Sequence, residues 1–447
     1  MLTFKIIKMK NIYILCLSML FITACSTDLD QAPSNLASAD SLTDLEGVLN
    51  AAYYYQLGTV TPLAVMADFR ADNAFMFEAP YTEFDTYGRN LTTMEDQFFR
   101  PFYTASYKCI LSANNVIENS GDATEVLEAK FLRALTYFKL VKVFGAVTIN
   151  LSATPSTTDT GILVRQPATD VYNKVIIPDL TDALALSATI VDGRASKYAA
   201  QGLLGKVYAT MGDYDNAQTH LAAVVNGAGG AGISLKTNFN EVFGAAYEAG
   251  NSEIIYATQV SSSIVDEYSP ASDFWNWFVG DDSKSDYPVD PSLNAAFDAS
   301  DATGSTDLRR AVTVSSDGRT AVKFPKDGGL GPEHDWIELR LADVILLYAE
   351  ALNENGNTSG AITELNKIRN RAGLANTTAN TEVSVAAAIA NERRLELAFE
   401  GHRWFDLVRI GKAQSELGFS DANYLLFPIP VSEILATRGV ITQNPGY

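Results

Sequence analysis

A ladder of acidic and basic residues near the C-terminus is the first arrangement that could do acid–base chemistry. It consists of Glu392, Glu396, Glu400, Arg403, Asp406 and Arg409, with Arg393 and Arg394 among them. A helix would place residues three or four apart on one face, and two opposed carboxylates could then act as the acid and base of a glycoside hydrolase. Arginines this close would lower the carboxyl pKa values, which is the wrong direction for a general acid. The ladder therefore predicts a structural ion-pair network and no catalytic residue.

An aromatic cluster further upstream could bind an uncharged ligand. It comprises Trp275, Asn276, Trp277 and Phe278, with Tyr268 nearby. Aromatic faces stack on the C–H surfaces of sugars, and adjacent polar groups hydrogen-bond hydroxyls. Two interpretations stay open: the cluster is an exposed binding platform, or it packs this segment into the rest of the fold. In a strand, Trp275 and Trp277 would face opposite sides, with one ring buried and one exposed.

The N-terminus has the pattern of a secreted, lipid-anchored protein. Lysines precede an apolar run over residues 12–24, which is too short to span a membrane and typical of a signal peptide. The run ends in small residues directly before Cys25, which resembles a bacterial lipobox. We expect residues 1–24 to be removed, Cys25 to carry the lipid, and the polar residues 25–40 to form a tether. The alternative is an ordinary secretory signal beside a chance cysteine.

Composition excludes several classes of partner and site. The chain has 447 residues, is 47% hydrophobic and 19% charged, and carries a net charge of −20. It can bury a large core, and its acidity argues against nucleic acid or an anionic membrane surface as a partner. Beyond Cys25 only Cys109 remains, so no internal disulfide is expected. The histidines lack metal-ligand spacing and no phosphate-loop motif occurs, so we predict no metal and no cofactor.

Helical periodicity dominates the segments that must position these residues. Residues 124–145 carry one apolar stripe, which Gly145 ends. Residues 195–227 and 339–373 each read as helix, tight turn and helix, with small residues at the packing positions. Both resemble degenerate tetratricopeptide hairpins.

Two long irregular stretches interrupt the helical pattern. They are rich in Gly, Ser, Asp and aromatics, and the second contains strand-like pieces at 253–260 and 310–315. Such insertions on a rigid scaffold commonly carry binding sites. The predicted fold is mostly α, with discontinuous tetratricopeptide-like helical hairpins, long irregular insertions and a few short strands. We expect one domain over 41–447, with its scaffold at 41–67, 98–227 and 336–447 and its insertions at 68–97 and 228–335.

Three segments carry motifs that together resemble one family. They are 128–145 (EAKFLRALTYFKLVKVFG), 340–373 (from RLADVILLYAEALNENG to LNKIRNRAG) and 392–412 (ERRLELAFEGHRWFDLVRIGK), the last closed by 425–447. With the lipobox, they follow the order of SusD/RagB nutrient-binding outer-membrane lipoproteins. The resemblance implies a SusD-like helical fold and a partner, a SusC-like TonB-dependent outer-membrane transporter. It also implies a glycan ligand, or a peptide in the RagB branch.

The resemblance further implies where the ligand binds, by region only. In the family, the region after the first helix and a later loop contribute to the glycan site. These regions correspond here to the Trp275 cluster and to a set in the first insertion. That set is Asp72, Asn73, Tyr81, Tyr87, Arg89 and Asn90.

The sequence thus predicts a non-catalytic glycan-binding lipoprotein on the outer membrane. It would capture an oligosaccharide and deliver it to a SusC-like transporter. A peptide-binding subunit of the same kind of transporter is the alternative. A glycan-cleaving enzyme and a structural helical-repeat adaptor are the more distant ones.

Overall fold

The computed structural model describes residues 44–447 with several gaps, and within these bounds it shows a mostly helical protein with few short strands. The gaps are 157, 262–273, 275, 280–285, 302–304 and 325–333. The predicted signal peptide, Cys25, Tyr268 and Trp275 lie outside the described residues. The expected fold class is confirmed.

Twelve labelled helices form the body of the described residues, and side-chain caps set where several of them begin. Asp122 accepts hydrogen bonds from the backbone N–H groups of Thr124 and Glu125, and Thr381 forms a reciprocal cap with Ser384. The helices are α1 (Leu45–Tyr55), α2 (Leu57–Asp68), α3 (Arg100–Asn119), α4 (Ala123–Phe144), α5 (Ile177–Ala183), α6 (Lys197–Met211), α7 (Tyr214–Gly227), α8 (Pro291–Asp301), α9 (Leu341–Glu354), α10 (Thr358–Arg371), α11 (Glu382–Glu396) and α12 (Arg403–Arg409).

Shorter helical turns occupy much of the chain between them. They are Glu83–Thr86, Arg89–Met94, Glu95–Phe99, Thr160–Leu163, Ala168–Val171, Tyr172–Ile176, Ala228–Ala231, Phe239–Val242, Ala245–Glu248, Arg310–Thr313, Ala413–Leu417, Ala422–Leu425 and Val431–Ala436.

The helices pack side by side in a continuous series. Each contacts the next in the order α1, α3, α4, α5, α6, α7, α9 and α10, and α11 also packs on α9. The α6–α7 and α9–α10 hairpins are the two predicted from the sequence. They are separated in the chain by the second insertion, yet α7 packs directly against α9. The scaffold is therefore discontinuous in sequence and continuous in space.

Glycines at two positions explain the α6–α7 hairpin. Gly212 has φ +76, the left-handed conformation that ends α6 at little steric cost. Gly205 faces α7 so closely that a Cβ there would lie 2.5 Å from Leu221 Cγ and 3.2 Å from the Leu221 backbone nitrogen. The two backbones approach because Gly205 has no side chain.

We expect Gly205→Ala to lower the free energy of unfolding by up to about 2 kcal/mol. Overpacking costs roughly 1–3 kcal/mol, against about 1 kcal/mol gained in helix propensity. Urea unfolding measures the difference. Gly227→Ala in α7 is the matched control, because its Cβ would meet nothing closer than 3.5 Å. Equal gains in stability from both variants would contradict the close approach.

The described strands form two short antiparallel pairs. β1 (Val147–Thr148) pairs with β2 (Arg165–Gln166), and β3 (Ile254–Thr258) pairs with β4 (Trp336–Arg340). The predicted strand at 253–260 is confirmed. The strand predicted at 310–315 is wrong over Arg310–Thr313, which is a helical turn held by the N–H groups of Thr313 and Val314 on the Arg309 and Arg310 carbonyls. Only its end pairs as a strand would, through an isolated antiparallel bridge between Val314 and Ala321. Its β-branched residues alone suggested a strand.

Candidate ligand-binding surface

Backbone hydrogen bonds bring the two predicted insertions together. The Phe75 N–H donates to the Pro288 carbonyl at 2.9 Å, and the Asp290 N–H donates to the Asn73 carbonyl at 3.0 Å. Ala74 and Val289 form an antiparallel bridge between these bonds. Segments that are more than 200 positions apart in the sequence thus form a single surface.

Exposed aromatic side chains lie on this joint. We call Phe75, Phe77, Tyr287 and Arg319 the aromatic ledge. Phe77 is 62% exposed and Tyr287 is 41% exposed. The Phe75 ring meets Phe77 edge to face at 4.5 Å, and the Arg319 guanidinium lies over the Tyr287 ring at 4.7 Å. Large rings in water at a junction of two insertions are the kind of feature that marks a ligand surface.

Trp277, from the predicted aromatic cluster, lies in the hydrophobic core. Its side chain is 1% exposed and meets the rings of Phe69, Tyr81 and Phe98 edge to face at 6.5, 5.3 and 5.4 Å. Phe278 is also buried and stacks on Phe69 at 4.9 Å. The backbone around Trp277 is a helical turn, so the alternation expected of a strand does not apply. In this structure Trp277 and Phe278 pack the second insertion against the scaffold.

Asp72 and Asn73 are engaged in internal bonds. Asp72 accepts two hydrogen bonds from Arg403, at 2.6 and 2.9 Å, and pairs with Arg394 at 3.2 Å. Asn73 is buried; its amide N–H donates to Asp68, and its oxygen accepts from Arg394 Nε. These contacts fasten the first insertion to α11 and α12.

Tyr87 is held in an aromatic stack with a buried arginine. Its ring lies parallel to the Phe419 ring at 4.2 Å. The Arg70 guanidinium lies over the Tyr87 ring at 4.6 Å and over the Trp404 ring at 5.4 Å. Arg70 Nη1 donates to the Phe84 carbonyl at 2.8 Å, and the Tyr87 hydroxyl donates to the Arg70 carbonyl. This stack fixes the turn that precedes Arg89.

The predicted ligand residues therefore differ in their access to solvent. Arg89 and Asn90 are exposed, and Tyr81 and Asn276 are partly exposed. Sequence reasoning missed Phe75, Phe77, Tyr287 and Arg319. One signal was present, because Ala74 and Met76 are buried while Phe75 and Phe77 reach outward, as alternation along an extended segment requires.

A groove of about 590 Å³ runs along β3, and none of the ledge residues lines it. That volume lies within the range of small-molecule pockets. Its lining includes Asp192 and Asp335, which already accept hydrogen bonds from backbone N–H groups of Gly250 and Val260. Its described lining has no exposed aromatic ring, so the ledge is the stronger candidate for stacking on a sugar.

The C-terminal carboxylates form a buried ion-pair network, as expected, and the pairing expected within the ladder holds for Asp406, which binds Arg393 and Arg409. Glu396 and Glu400 take their cations from outside the ladder. Glu396 pairs with Arg309, Arg340 and Arg371, while Glu400 pairs with Arg340 and Lys323. The other pairs of the ladder's arginines also lie outside it: Arg393 binds Asp343, Arg409 binds Glu350, and Arg394 and Arg403 bind Asp72.

Electrostatics in this network oppose acid catalysis. Burial alone would raise the pKa of Glu396, but the guanidinium groups of Arg371, Arg340 and Arg309 outweigh it and hold that pKa well below its usual range. Arg340 and Lys323 likewise lower the pKa of Glu400 against the effect of burial. Carboxylates held ionised by arginine cannot donate a proton near neutral pH.

The described residues contain neither a metal-binding cluster nor a membrane-spanning helix. No group of three or more His, Cys, Asp or Glu side chains within them could hold a metal ion. None of the helices in that part of the chain has the length and hydropathy needed to cross a bilayer.

Comparisons with known proteins cover nearly the whole chain. One family model, described as the SusD family, matches residues 210–424, and a second, described as starch-binding associating with outer membrane, matches residues 25–209. A SusD-like protein P2 of Formosa agariphila is 27% identical over 96% of this chain and 98% of that protein.

Solved structures agree with these matches. A laminarin-binding SusD-like protein is 27% identical, with a TM-score of 0.72 over 91% of this chain and 99% of that one. A SusD superfamily protein from Bacteroides vulgatus is 21% identical, with a TM-score of 0.75 over 92% of this chain and 100% of that one. The latter likeness supports the fold.

Proposed function

We propose that this chain, which belongs to the SusD/RagB family, is a non-catalytic glycan-binding protein whose ligand stacks on the aromatic ledge. The exposure of Phe77 and Tyr287 where the two insertions meet is the observation that carries this proposal. A flat ring suits the C–H face of a sugar, and Arg319, which lies over Tyr287, offers donors for hydroxyl groups. The laminarin-binding relative supports a glycan as the ligand class.

The proposal extends to location and partner. Cys25 would carry a lipid that anchors the protein in the outer membrane, with the domain at the cell surface. The captured oligosaccharide would pass to a SusC-like TonB-dependent transporter. The starch-binding, outer-membrane description of the family model over residues 25–209 supports this arrangement.

A peptide ligand, as in the RagB branch, is the second candidate. It shares the aromatic ledge but would place its charged groups against Arg89 or Arg319. Competition between a neutral oligosaccharide and a short peptide for the purified protein separates the two. We place a glycan first because the ledge offers flat aromatic rings and because a laminarin-binding relative is 27% identical to this chain.

The test of function is retention without cleavage. Protein starting at residue 26 keeps the whole compact unit Asp44–Tyr447. We expect affinity gels that contain laminarin or starch to retard it, and the oligosaccharide to keep its length after prolonged incubation. Shortened products would overturn the proposal that the protein is non-catalytic. Migration that no neutral glycan changes would overturn the proposal that its ligand is a glycan.

The ledge itself makes a sharper prediction. We expect Phe77→Ala combined with Tyr287→Ala to weaken glycan binding roughly five- to 150-fold, because each lost ring contact is worth about 0.5–1.5 kcal/mol. Isothermal titration calorimetry gives the dissociation constant, and the unfolding midpoint should stay unchanged because both rings are exposed. Tyr247→Ala is the matched control, since Tyr247 is 43% exposed on a different turn. Equal binding by the double variant and the control would exclude the ledge.

A further inference from the structure

One side chain of the scaffold, Arg394 on α11, contacts both insertions at once. Its Nε donates to Asn73 Oδ1 at 3.2 Å, and its Nη2 donates to the Asp72 carbonyl. The same Nη2 donates to Ser292 Oγ at 2.7 Å. Asp72 and Asn73 belong to the first insertion, whereas Ser292 lies in the first turn of α8, in the second. A single guanidinium group therefore attaches both insertions to one scaffold helix.

Ser292 completes a closed set of hydrogen bonds with this arginine. Its hydroxyl accepts from Arg394 and donates to the Asp72 carbonyl at 3.0 Å. The Asp72 carboxylate adds an ion pair with Arg394 at 3.2 Å and two hydrogen bonds from Arg403, at 2.6 and 2.9 Å. We call Asp72, Asn73, Ser292 and Arg394 the junction.

The junction is charged and largely shielded from solvent. Burial would raise the pKa of Asp72, but the hydrogen bond from Arg403 and the charges of Arg403 and Arg394 outweigh it and hold that pKa below its usual range. The Arg394 side chain is 10% exposed, and a guanidinium stays protonated at any ordinary pH. Asp72 and Arg394 thus attract each other near neutral pH with less screening than a surface pair.

The aromatic ledge begins a few residues from the junction. The Asn73 carbonyl accepts a hydrogen bond from the Asp290 N–H at 3.0 Å. Two positions further on, the Phe75 N–H donates to the carbonyl of Pro288, which directly follows Tyr287. The backbone that the junction holds is therefore the backbone that carries rings from both insertions.

Arg319, the remaining ledge residue, is bonded to the same backbone. The Val289 N–H donates to the Arg319 carbonyl at 3.0 Å, and the Arg319 guanidinium lies over the Tyr287 ring. Movement of the second insertion relative to the first would therefore change how Tyr287 and Arg319 face Phe77.

We propose that Arg394 is a positioning residue of the glycan site, which holds the two insertions in the alignment that presents Phe77 and Tyr287 to one ligand. This inference rests on the proposed function and concerns the same ledge. Binding sites need neighbouring hydrogen bonds that hold their geometry within about 0.5 Å, and a site aligned in advance has less to order when the ligand arrives. Arginine suits this role because its planar fork donates from several atoms, whereas a lysine ammonium donates from one.

Hydrogen exchange tests the alignment without any ligand. Arg394→Met keeps an unbranched side chain and removes every donor, so the amides of Phe75 and Asp290, which bond across the joint, should exchange faster. Mass spectrometry of the peptides that contain these two residues measures the rates. Native rates in Arg394→Met would overturn the proposal.

Arg409→Lys is the matched control for loss of a buried guanidinium. The Arg409 side chain is 7% exposed, and its partners Glu350 and Asp406 lie on α9 and α12, outside both insertions. This variant should lose stability and keep native exchange at Phe75 and Asp290. Equal acceleration in both variants would reduce Arg394 to a general contribution to stability and would overturn its positioning role.

Calorimetric titration with a laminarin or starch oligosaccharide tests the consequence for binding. Arg394→Met should bind about fivefold or more weakly, because the loosened ledge must be ordered by the ligand. Arg394→Lys should fall between Arg394→Met and the native protein, since it keeps the charge beside Asp72 and loses the fork. Arg409→Lys should bind as the native protein does. Native affinity in Arg394→Met would overturn the proposal.

Ser292→Ala provides a second variant that does not depend on the fold surviving the loss of Arg394. Ser292 is exposed, and the substitution removes only the contact of the junction with the second insertion. It should change exchange and affinity in the same direction as Arg394→Met, by a smaller factor. A native protein that binds no glycan would overturn the proposed function instead, and the exchange rates would still decide whether Arg394 aligns the insertions.

Discussion

Replacing Glu396 by Gln is expected to lower the free energy of unfolding by about 3–5 kcal/mol, because removal of one partner leaves buried charge uncompensated. Glu396 is fully buried and holds three guanidinium groups, from Arg309, Arg340 and Arg371. Gln keeps the shape and removes the charge, so the cost reports electrostatics and not a cavity. Chemical denaturation with intrinsic fluorescence measures it.

The control for this prediction is the corresponding acid-to-amide substitution at a surface pair. Asp96 pairs with Arg100 at 2.9 Å, and their side chains are 81% and 47% exposed. Pairs of this kind contribute about 0–1 kcal/mol, so Asp96→Asn should change stability by that amount or less. Similar losses at both positions would show that the buried network carries no special weight.

Trp277→Ala is expected to cost about 3–5 kcal/mol, because it empties the space among Phe69, Tyr81 and Phe98. Trp277→Phe keeps part of the packing and should cost less. The second variant also separates two roles. Because the Trp277 side chain is buried in the core and only 1% exposed, Trp277→Phe should bind glycan nearly as well as the native protein.

The contrary result would be equally clear. Glycan binding that disappears in Trp277→Phe while the unfolding midpoint holds would mean that the indole contacts the ligand. Of the two interpretations left open by the sequence, the binding platform would then be correct and the packing role would not. Thermal unfolding and calorimetric titration on the same samples provide both readouts.

Local signals in the sequence predicted the scaffold well. The apolar stripe that ends at Gly145 forms α4. Gly212 and Gly356, predicted as turns, lie between the two helices of the α6–α7 and α9–α10 hairpins. These features depend on residues a few positions apart, so their physics is visible in a short window. Cap residues and left-handed glycines are signals of this kind.

Contacts between distant segments could not be predicted in the same way. The ladder around Glu396 predicted a network, but its cations Arg309, Arg340 and Arg371 come from three other elements. The local sequence pattern does not show which distant arginine pairs with which carboxylate in the core. The ladder's helix also ends at Glu396, so Arg403 and Arg409 lie on a separate helix.

The candidate site shows the same division. The sequence indicated both insertions as binding regions, and backbone bonds at Phe75 and Asp290 join them. Which rings face outward depends on the neighbours that cover each ring. Trp277 is covered by three aromatic rings, whereas Phe77 has only Phe75 beside it among the described ring contacts. Composition alone does not distinguish these two environments.

The stretch between β3 and β4, most of the second insertion, begins and ends at one ion pair, and this has a consequence for how such proteins diversify. Glu253 and Arg340 are 87 positions apart, yet they pair at 2.8 Å, and the Leu341 N–H donates to the Glu253 carbonyl. A segment whose entry and exit are fixed at one point can change length and sequence in its exposed parts without moving the helices on either side, as long as it keeps the core contacts of Trp277, Arg309 and Lys323. Evolution could exchange those exposed parts, and an engineer could graft one specificity onto this frame between β3 and β4.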